Sequence, residues 1–481
     1  MLLTYFTPDG WESWDLDRKP LIRQDMPVLI DDDLRFEDEH GPRPTVAVNA
    51  WLRELPISGV PAAKSWRAYA QAMRSWLAFL ASRSMHPFAE REDLRAALGA
   101  FAEYRLAGPV EARWDGATWN HRVNVMSRFY SWAVDNGHCT KVPFTYAMGT
   151  RYSREAGAME VRRNTATVRR AKPHVKMKYL EPEFRDTFLR ALAGLDPDGA
   201  PDDSFRGREL ARNGAMGGLV TATGLRAQEF TYLLTYELPA LPARRTPVPV
   251  WFPLAESTTK GQKARATWTS HRALADVHQY VELDRDAAVT RGPYRPPARL
   301  GPPLIIEAPD HEGAHINGHR TPWRHLSPAE RLRLVNPDGT SPMVAVQSTG
   351  QPFEDWGTVF RRTSQRIRER YEPRFPPKMS PHVLRHTFAM DTLEALVKGY
   401  YQRAAALITD TGGDGGLALY LTKTDPLMIL RDLLGHSSVT TTEIYLRRLD
   451  VQRIYRDAYT SARHDDDDAE AEAAAEFGED I

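Results

Sequence analysis

The chain has 481 residues, a length typical of two to four domains. Hydrophobic residues make up 42% of it and aromatic residues 10%, which excludes a wholly disordered chain and a small disulfide-stabilised scaffold. The sequence contains no apolar run of membrane-spanning length and no apolar secretion signal. Its single cysteine, Cys139, permits neither an internal disulfide nor a cysteine-based zinc site. We therefore expect a protein of the reducing cytoplasm without membrane contact.

Basic and acidic residues balance at 63 each over the whole chain, but not locally. Residues 464–481 hold nine acids and no Lys or Arg, and they predict an acidic, disordered tail. Without that tail the remaining chain carries nine net positive charges. Between residues 151 and 178, nine Lys or Arg residues stand against two Glu. On charge alone, two interpretations of this segment are equally good: it binds a polyanion, or it is a solvated linker.

The first 150 residues predict an arm followed by a helical bundle. Residues 1–46 are rich in Asp, Glu and Pro, lack periodicity, and predict an N-terminal arm with at most short structure. Residues 47–150 repeat apolar side chains at three- and four-residue steps, which is typical of amphipathic helices. We expect the aromatic residues of these stripes to form the bundle core rather than a surface for stacking bases. Residues 151–178, with Gly157 and Pro173, predict a basic interdomain linker.

A second, larger domain is predicted over residues 179–463. It begins with helices at 184–192 and 210–223, continues with a β-hairpin between 248 and 268 that turns at Gly261, and returns to helices from residue 353. Residues 291–350 are rich in Pro, Gly and Arg and predict a long irregular insertion. The sequence therefore predicts a mainly α fold with a small β-sheet (α+β).

One segment of this domain, SPHVLRHTF at residues 380–388, combines a helix start with basic side chains. His382 and Arg385 are three residues apart, so both project from one face near the helix N-terminus, where free N–H groups favour a phosphate. Taken alone, the segment is more typical of a capped amphipathic helix with local hydrogen bonds. His382 and His386 have the spacing of a zinc helix, but no Glu follows the first histidine, so we expect no metal.

Three further segments carry polar residues in order along the chain. In LGHSSVTTTEIY at 434–445, Gly435 is expected to end a helix, and Tyr445 follows His436 by nine residues; alone, such a tyrosine is more often half-buried core. In TGLRAQEF at 223–230, Arg226 and Glu229 are three residues apart at a helix start, where an exposed ion pair of little energetic value is the ordinary interpretation. The segment STTKGQKAR at 257–265 is a cationic β-turn or a solvated hairpin tip.

In this order, the four segments resemble the signature of the tyrosine recombinase (phage integrase) family. That signature contains an arginine in a Thr-Gly-Leu-Arg-x-x-Glu box, a β-hairpin lysine and a His-x-x-Arg-His box. It ends with Leu-Gly-His and a nucleophilic tyrosine nine residues later. The resemblance covers about residues 180–460, and a weaker match relates the helical residues 50–150 to the core-binding domain of the family.

The resemblance implies a set of residues that bind the scissile phosphate. Arg226 and Arg385 would clamp this phosphate, and His382 and His436 would complete its hydrogen-bonding shell. Glu229 would orient these groups without acting on the substrate. Two guanidinium groups suit the task because they offer bidentate donors to a doubly charged transition state and do not deprotonate.

The resemblance also implies the nucleophile and the general acid. Tyr445 would attack phosphorus to give a 3′-phosphotyrosine, and Lys260 would protonate the leaving 5′ oxygen. Lys263 is the other hairpin candidate, and Lys260 is preferred because it directly precedes Gly261 in the turn. A phenol with a pKa of about 10 needs nearby cations to react, and a leaving alkoxide needs an acid. The phosphotyrosine would conserve the bond energy, so no cofactor, ATP or metal is expected.

Two departures from the family pattern are both predicted to be loop insertions. Fifty residues separate Arg385 from His436, about twice the usual number, and the extra piece is residues 397–424. A comparable excess between Lys260 and His382 corresponds to residues 291–350.

The implied function is a site-specific DNA recombinase, or integrase, whose two domains grip double-stranded DNA as a clamp. It would act as a homo-tetramer on paired sites, be a monomer or weak oligomer without DNA, and associate with the nucleoid. Residues 450–463 are a candidate helix for docking on a neighbouring subunit or, equally, for packing within the chain. The predicted linker would add contacts to the DNA backbone through Arg162, Arg163, Arg169, Arg170, Lys172, Lys176 and Lys178.

Other functions stay open from sequence. A transposase or a multimer resolvase of the same family would use the same residues. A non-catalytic DNA-binding protein could keep the fold, although every motif position is filled. A metal-dependent nuclease using the histidines would lose its activity in EDTA.

Overall fold

The computed structural model describes residues 1–7, 22–39, 41–60, 62–153, 157–168, 178–246, 248–259, 261–397, 424–436, 442 and 445. The chain divides into two compact units, a first unit of Met1–His174 and a second unit of Val175–Ile481. Both consist mainly of helices with small β-sheets, so the predicted fold class is confirmed. Among the described helices, none combines the length and the apolar character needed to cross a membrane.

The first unit is a helical bundle with three two-stranded antiparallel sheets in its described part. Its helices are α1 (Pro44–Glu54), α2 (Ala63–Ala81), α3 (Arg91–Leu106) and α4 (Gly116–Asp135). Its strands are β1 (Leu2–Tyr5), β2 (Pro27–Ile30), β3 (Glu37–Asp38), β4 (Gly41–Pro42), β5 (Tyr146–Ser153) and β6 (Gly157–Asn164).

The core of the first unit is built from the aromatic stripes. Trp66, Met73 and Trp76 of α2 are buried against Trp119 and Tyr130 of α4 in one hydrophobic cluster. The Trp76 Nε1 donates to the Tyr130 hydroxyl over 2.9 Å, so the buried polar atoms are paired. Each large apolar side chain buried in this way contributes roughly 1.5–3 kcal/mol, which explains a stable bundle without a disulfide. The expectation that these aromatic residues form a core is confirmed.

Two parts of the first unit differ from the sequence-based expectation. The predicted arm is integrated into the fold, because Met26 and Leu29 are buried in the bundle core. Residues 151–153 and 157–164, predicted as linker, belong to the two strands of a β-hairpin, which pair from Tyr146↔Asn164 to Ser153↔Gly157. Val168 follows this hairpin. Its N–H and C=O groups both form hydrogen bonds with the side-chain amide of Asn120 in α4. The linker prediction is therefore wrong over residues 151–153 and 157–164, because their charged side chains obscured the strand pattern in the sequence.

The second unit surrounds helix α6 with other helices and a β-hairpin. Its helices are α5 (Pro182–Leu192), α6 (Leu210–Thr223), α7 (Ala227–Thr231), α8 (His271–Tyr280), α9 (Asp286–Val289), α10 (Pro328–Arg331), α11 (Trp356–Arg370), α12 (Pro381–Val397) and α13 (Pro426–Leu434). Its strands are β7 (Val250–Leu254), β8 (Arg265–Thr269), β9 (Leu304–Glu307), β10 (Gly313–Ile316), β11 (His319–Pro322) and β12 (Leu334–Val335). Strands β7 and β8 form the predicted hairpin.

Helix α6 is mainly apolar and is buried against its neighbours. Met216, Leu219 and Val220 are each fully buried in the cluster that also contains Phe188 of α5 and Leu384 of α12. A second cluster joins Phe388 of α12 with apolar residues of α13 and with Trp268 of β8. These contacts fix the N-terminal end of α12 and the C-terminal end of α13, the two elements that carry the candidate site.

Residues 291–350 are ordered, so the prediction of an irregular insertion is wrong. They contain a four-stranded sheet in the order β11-β10-β9-β12, with β12 parallel to β9 and the other pairs antiparallel. The sheet has its own core of Ile306, Ile316, Trp323 and Leu334. Its strands are only two to four residues long, too short to produce a readable alternation. Of the second predicted insertion, residues 398–423 lie outside the described part of the chain.

Candidate active site

Helix α12 presents three functional groups in its first two turns. His382 is exposed, Arg385 is 2% exposed, and His386 is half-buried. The apolar side of these turns is held by Leu384 and Phe388, which lie in the two core clusters of the second unit. The sequence thus places the basic side chains at the helix start, as expected from the motif spacing.

Three arginine side chains meet at the C-terminal end of α13. The Arg226 Nη2 donates to the Leu434 carbonyl over 3.2 Å, and the Arg385 Nη2 donates to the same oxygen. The Arg265 Nη1 donates to the preceding carbonyl, that of Leu433. The last carbonyls of a helix lack intrahelical partners and carry the negative end of its dipole. This helix end therefore offsets part of the repulsion among the three cations.

The carboxylate of Glu229 joins two of these arginines. Its Oε1 lies 3.0 Å from the Arg226 Nη1, and its Oε2 accepts from the Arg265 Nη2. The same Oε2 also accepts from the backbone N–H of Arg226 over 2.7 Å, which fixes the start of α7. Burial alone would raise the pKa of Glu229, but the two guanidinium groups lower its pKa overall. One carboxylate thus faces three guanidinium groups, which leaves a surplus of positive charge for an anion.

Two glycines make this convergence possible. Gly224 ends α6 with a φ of +64°, and a Cβ atom there would lie 2.3 Å from Cδ1 of Phe388. Its carbonyl also accepts from the Arg385 Nη1. Gly435 ends α13 with a φ of +60°, and a Cβ atom there would lie 2.4 Å from Cδ of Arg265. Left-handed backbone and close approach both require glycine at these positions.

Tyr445 lies beside the arginines and is hydrogen-bonded to a histidine. It is 1% exposed, and its hydroxyl lies 2.8 Å from Nδ1 of His386. The Nε2 of His386 lies 3.0 Å from Nε2 of His382, so the phenol connects through two imidazoles to an exposed side chain. Burial raises the pKa of Tyr445 to about 12, while the charges of Arg385 and Arg226 act in the opposite direction. The phenol therefore keeps its proton until a base removes it.

The surroundings of the site favour the neutral form of its histidines. Burial, together with His382 and Arg385, lowers the pKa of His386 to about 4. Burial, then Arg385 and Arg226, lower the pKa of His436 to about 4. The same three causes lower the pKa of His382. The Nδ1 of His436 pairs with Oγ1 of Thr442 over 3.0 Å. Uncharged imidazoles can accept protons, so these residues are suited to proton transfer.

Burial and the neighbouring arginines also act on the charge of Arg385. Burial, then Arg226 and Arg265, lower the pKa of the Arg385 guanidinium to about 9, so it stays protonated at neutral pH. An anion bound beside these three groups would relieve their mutual repulsion.

A basic cavity of about 460 Å³ opens next to the arginines. Its walls include Arg226, Lys263, Arg265, Arg431 and His436. A phosphate oxygen in this cavity would meet donors from the hairpin, the start of α7 and the end of α13. Of the two hairpin lysines considered from sequence, Lys263 lines the cavity, and Lys260 lies outside the described residues.

The structure brings together five of the predicted catalytic residues and the supporting one. These are Arg226, His382, Arg385, His436 and Tyr445, with Glu229. Neither His386 nor Arg265 was among the catalytic residues predicted from sequence. A signal existed for His386, since it completes the His-x-x-Arg-His box, whereas Arg265 was only one of several cations in the hairpin segment.

The predicted DNA-binding residues are placed only in part. Arg162 and Arg163 are exposed on β6, and Lys178 is exposed before α5. Arg169, Arg170, Lys172 and Lys176 lie outside the described residues. A metal site was not expected, and within the described residues no group of three or more His, Cys, Asp or Glu side chains could hold a metal ion.

No family model and no curated protein matches the sequence. Among solved structures, the chain is similar to a Tn1549 transposon integrase in complex with transposon right end DNA, with 13% identity, a TM-score of 0.46, and coverage of 86% of this chain and 99% of that chain. It is also similar to the XerH site-specific recombinase bound to palindromic difH substrate, with 13% identity, a TM-score of 0.44, and coverage of 86% and 83%. The XerA recombinase matches with 16% identity, a TM-score of 0.31, and coverage of 85% and 95%.

Proposed function

We propose that this chain is a site-specific DNA recombinase that cleaves and rejoins DNA through a covalent phosphotyrosine. The observation that carries this proposal is the position of the Tyr445 phenol, hydrogen-bonded to His386 and beside Arg385. Arg385 shares the Leu434 carbonyl with Arg226, although these two residues are far apart in sequence. A buried phenol next to paired guanidinium groups is suited to attack on a bound phosphodiester.

In the proposed reaction, the arginines hold the phosphate and Tyr445 attacks it. A bond forms between the tyrosine oxygen and phosphorus while the bond from phosphorus to the 5′ oxygen breaks. The 5′ oxygen takes a proton from a hairpin lysine, either Lys260 or Lys263, and leaves as a hydroxyl. The guanidinium groups of Arg226 and Arg385 neutralise the charge that develops on the phosphate oxygens. The number of phosphoester bonds does not change, so rejoining is the reverse step and needs neither ATP nor a metal.

Double-stranded DNA is the proposed partner; the similar Tn1549 transposon integrase is in complex with transposon right end DNA, and XerH is bound to palindromic difH substrate. The exposed pair Arg162 and Arg163 and the basic segment that follows would contact the phosphate backbone, which adds affinity without sequence preference. Recombination of two duplexes requires the cleavage of four strands, which is the reason for proposing a homo-tetramer on paired sites. In a cell this partner would place the protein on the nucleoid.

The test is the capture of a covalent adduct on DNA with a randomised sequence. The full chain is incubated in EDTA with a library of duplexes that carry randomised flanks and a nick beside a fixed phosphate, so that cleavage releases a short fragment and prevents rejoining. Adducts that resist detergent are recovered, their DNA is sequenced, and the modified peptide is identified by mass spectrometry. We expect a nucleotide on Tyr445.

The matched control is Tyr445→Phe, which removes only the hydroxyl. This variant is expected to bind the selected DNA as the parent does and to form no adduct. An adduct on another residue would show that the assignment of the nucleophile is wrong. DNA binding without any adduct in the parent protein would identify a non-catalytic DNA-binding protein, and cleavage that stops in EDTA would identify a metal-dependent nuclease.

A further inference from the structure

We propose that His386 is a catalytic residue of this site, which accepts the proton of the Tyr445 hydroxyl and shares it with His382. The inference rests on the proposed function, because it concerns the same attacking phenol. It assigns a role to the second histidine of the His-x-x-Arg-His segment.

The hydrogen bonds of the two histidines form a continuous path for proton transfer from the phenol. The Nδ1 of His386 lies 2.8 Å from the Tyr445 hydroxyl, and its Nε2 lies 3.0 Å from Nε2 of His382. A neutral imidazole has one donor and one acceptor nitrogen. If Nδ1 of His386 accepts from the phenol, its Nε2 must carry the hydrogen and donate to His382. Every bond of this chain then points from the buried phenol to the exposed His382.

The other groups of the site are less suited to accept this proton. The ring of His436 is parallel to that of Tyr445, with centroids 6.5 Å apart, and its Nδ1 is bonded to Thr442 instead. The carboxylate of Glu229 is bonded to two arginines. The guanidinium groups are already protonated. Within the described residues, His386 is the neutral base that is hydrogen-bonded to the hydroxyl of Tyr445.

The charges around His386 suit a base that acts during the attack. It is faced by His382 and Arg385 of its own helix, by Tyr445, and by the ring of His436. In the free protein these neighbours and burial keep it unprotonated. A DNA phosphate bound at the arginines adds negative charge next to these cations and so favours the protonated imidazole. The base thus becomes stronger when the substrate is present.

The step balances in both directions. In cleavage, the phenol proton moves to Nδ1 of His386 as the bond between oxygen and phosphorus forms, and the proton on Nε2 moves toward His382. The 5′ oxygen leaves with a proton from the hairpin lysine. In rejoining, the 5′ hydroxyl attacks phosphorus and returns its proton to the lysine. The bond between the tyrosine oxygen and phosphorus breaks, and Tyr445 recovers its proton from His386.

The first measurement compares two variants on the adduct-forming DNA recovered from the randomised nicked library. His386→Asn keeps an amide oxygen that can accept a hydrogen bond near the position of Nδ1 but cannot take up a proton. We expect adduct formation to slow by about 10²–10⁴-fold, the range typical of a lost general base, with DNA affinity unchanged. The control His315→Asn removes an exposed histidine of β10 and is expected to form adducts at the parent rate.

The second measurement separates proton transfer from mere positioning. Tyr445 is replaced by 3,5-difluorotyrosine, whose phenol is more acidic and depends less on a base. In the His386→Asn background this replacement is expected to restore much of the lost rate, which a purely structural role would not allow. If His386→Asn fails to bind DNA, the same measurements are made on His382→Asn, where we expect a smaller loss and the same rescue.

The outcomes are distinct. Adduct formation at the parent rate in His386→Asn, or a slowed rate that the acidic tyrosine does not rescue, would overturn the role of His386 and leave the proposed function intact. If His382→Asn is used because His386→Asn does not bind DNA, a lack of rescue in His382→Asn would likewise overturn the role of His386. A parent protein that forms no adduct at all would overturn the proposed function, and the role of His386 with it.

Discussion

At the scale of single residues, the site depends on how three guanidinium groups are kept together. Arg226, Arg265 and Arg385 have the same charge and would separate without an anion and hydrogen-bond acceptors between them. The partners are the buried carboxylate of Glu229 and the terminal carbonyls of α13. Arg265 lines the cavity and also donates hydrogen bonds to Glu229 and to the last turn of α13. Through these two groups it helps to position Arg226 and Arg385.

We predict that Arg265→Ala destabilises the second unit by about 3–5 kcal/mol, the usual cost of breaking a buried ion pair from one side. The side chain of Arg265 is 6% exposed and that of Glu229 is fully buried, so the carboxylate would lose a close partner. Denaturant unfolding measures the change. Arg320→Ala is the control, because its ion pair with Asp310 is exposed and is worth at most about 1 kcal/mol. Equal unfolding midpoints for the two variants would show that Arg265 does not support the site.

At the scale of elements, the helices were predictable and most of the small sheets were not. Apolar steps of three and four residues persist through α2 and α4, so those helices could be read from the sequence. Strands β9 to β12 are too short for such a signal, and the hairpin of β5 and β6 was obscured by its charges. The hairpin of β7 and β8 was found because a glycine turn separates two alternating segments.

The candidate site shows the same division between local and tertiary signals. His382 and Arg385 share a helical face, which spacing alone predicts. The role of Arg265 could not be predicted, because it depends on a tertiary contact with the end of α13. No sequence spacing relates residue 265 to the carbonyl of Leu433. The contact between His386 and Tyr445 also joins residues far apart in sequence. Tertiary contacts of this kind leave no periodic trace.

One buried arginine helps to attach the inserted sheet to the rest of the second unit. Arg331 is 1% exposed and forms two hydrogen bonds with the carboxylate of Glu237, of 2.6 and 2.8 Å. It also donates to the carbonyls of Tyr232, Trp323 and Leu326. The bonds to Glu237 and Tyr232 join the insertion to the segment after α7, and those to Trp323 and Leu326 lie within the insertion. Removal of this side chain would take both of its hydrogen bonds from the Glu237 carboxylate and one from each of the three carbonyls.

We predict that Arg331→Ala makes residues 291–350 open locally, and that limited proteolysis then cuts the chain there many times faster than in the parent protein. Local opening exposes backbone that proteases require, and the insertion has a core separate from the main one. The cut sites are read by mass spectrometry. Arg324→Ala, which removes an exposed arginine of the same segment, is expected to leave the digestion pattern unchanged. Cutting elsewhere in Arg331→Ala would mean that the side chain supports the whole unit instead.

At the scale of the whole molecule, the distribution of charge sets how DNA would be held. The net charge of zero hides an acidic C-terminal stretch and a surplus of positive charge in the remaining sequence. Exposed arginines on a β-hairpin can neutralise backbone phosphates and release their counterions, which makes binding depend on salt. The guanidinium groups of the active site, in contrast, are largely buried and would act on one phosphate. Under the proposed function, general affinity and chemistry would therefore belong to different sets of basic residues.

We predict that the double variant Arg162→Ala and Arg163→Ala weakens DNA binding without a change in the preferred sequence. If each arginine neutralises one phosphate, the slope of log affinity against log salt becomes less steep by about two, since each contact contributes about 0.9. Titrations of the selected duplex at several salt concentrations measure this slope. Arg53→Ala with Arg95→Ala removes two exposed arginines elsewhere in the first unit and is the matched control. If both double variants change the slope equally, the hairpin has no special role in holding DNA, and the affinity comes from the overall charge of the unit.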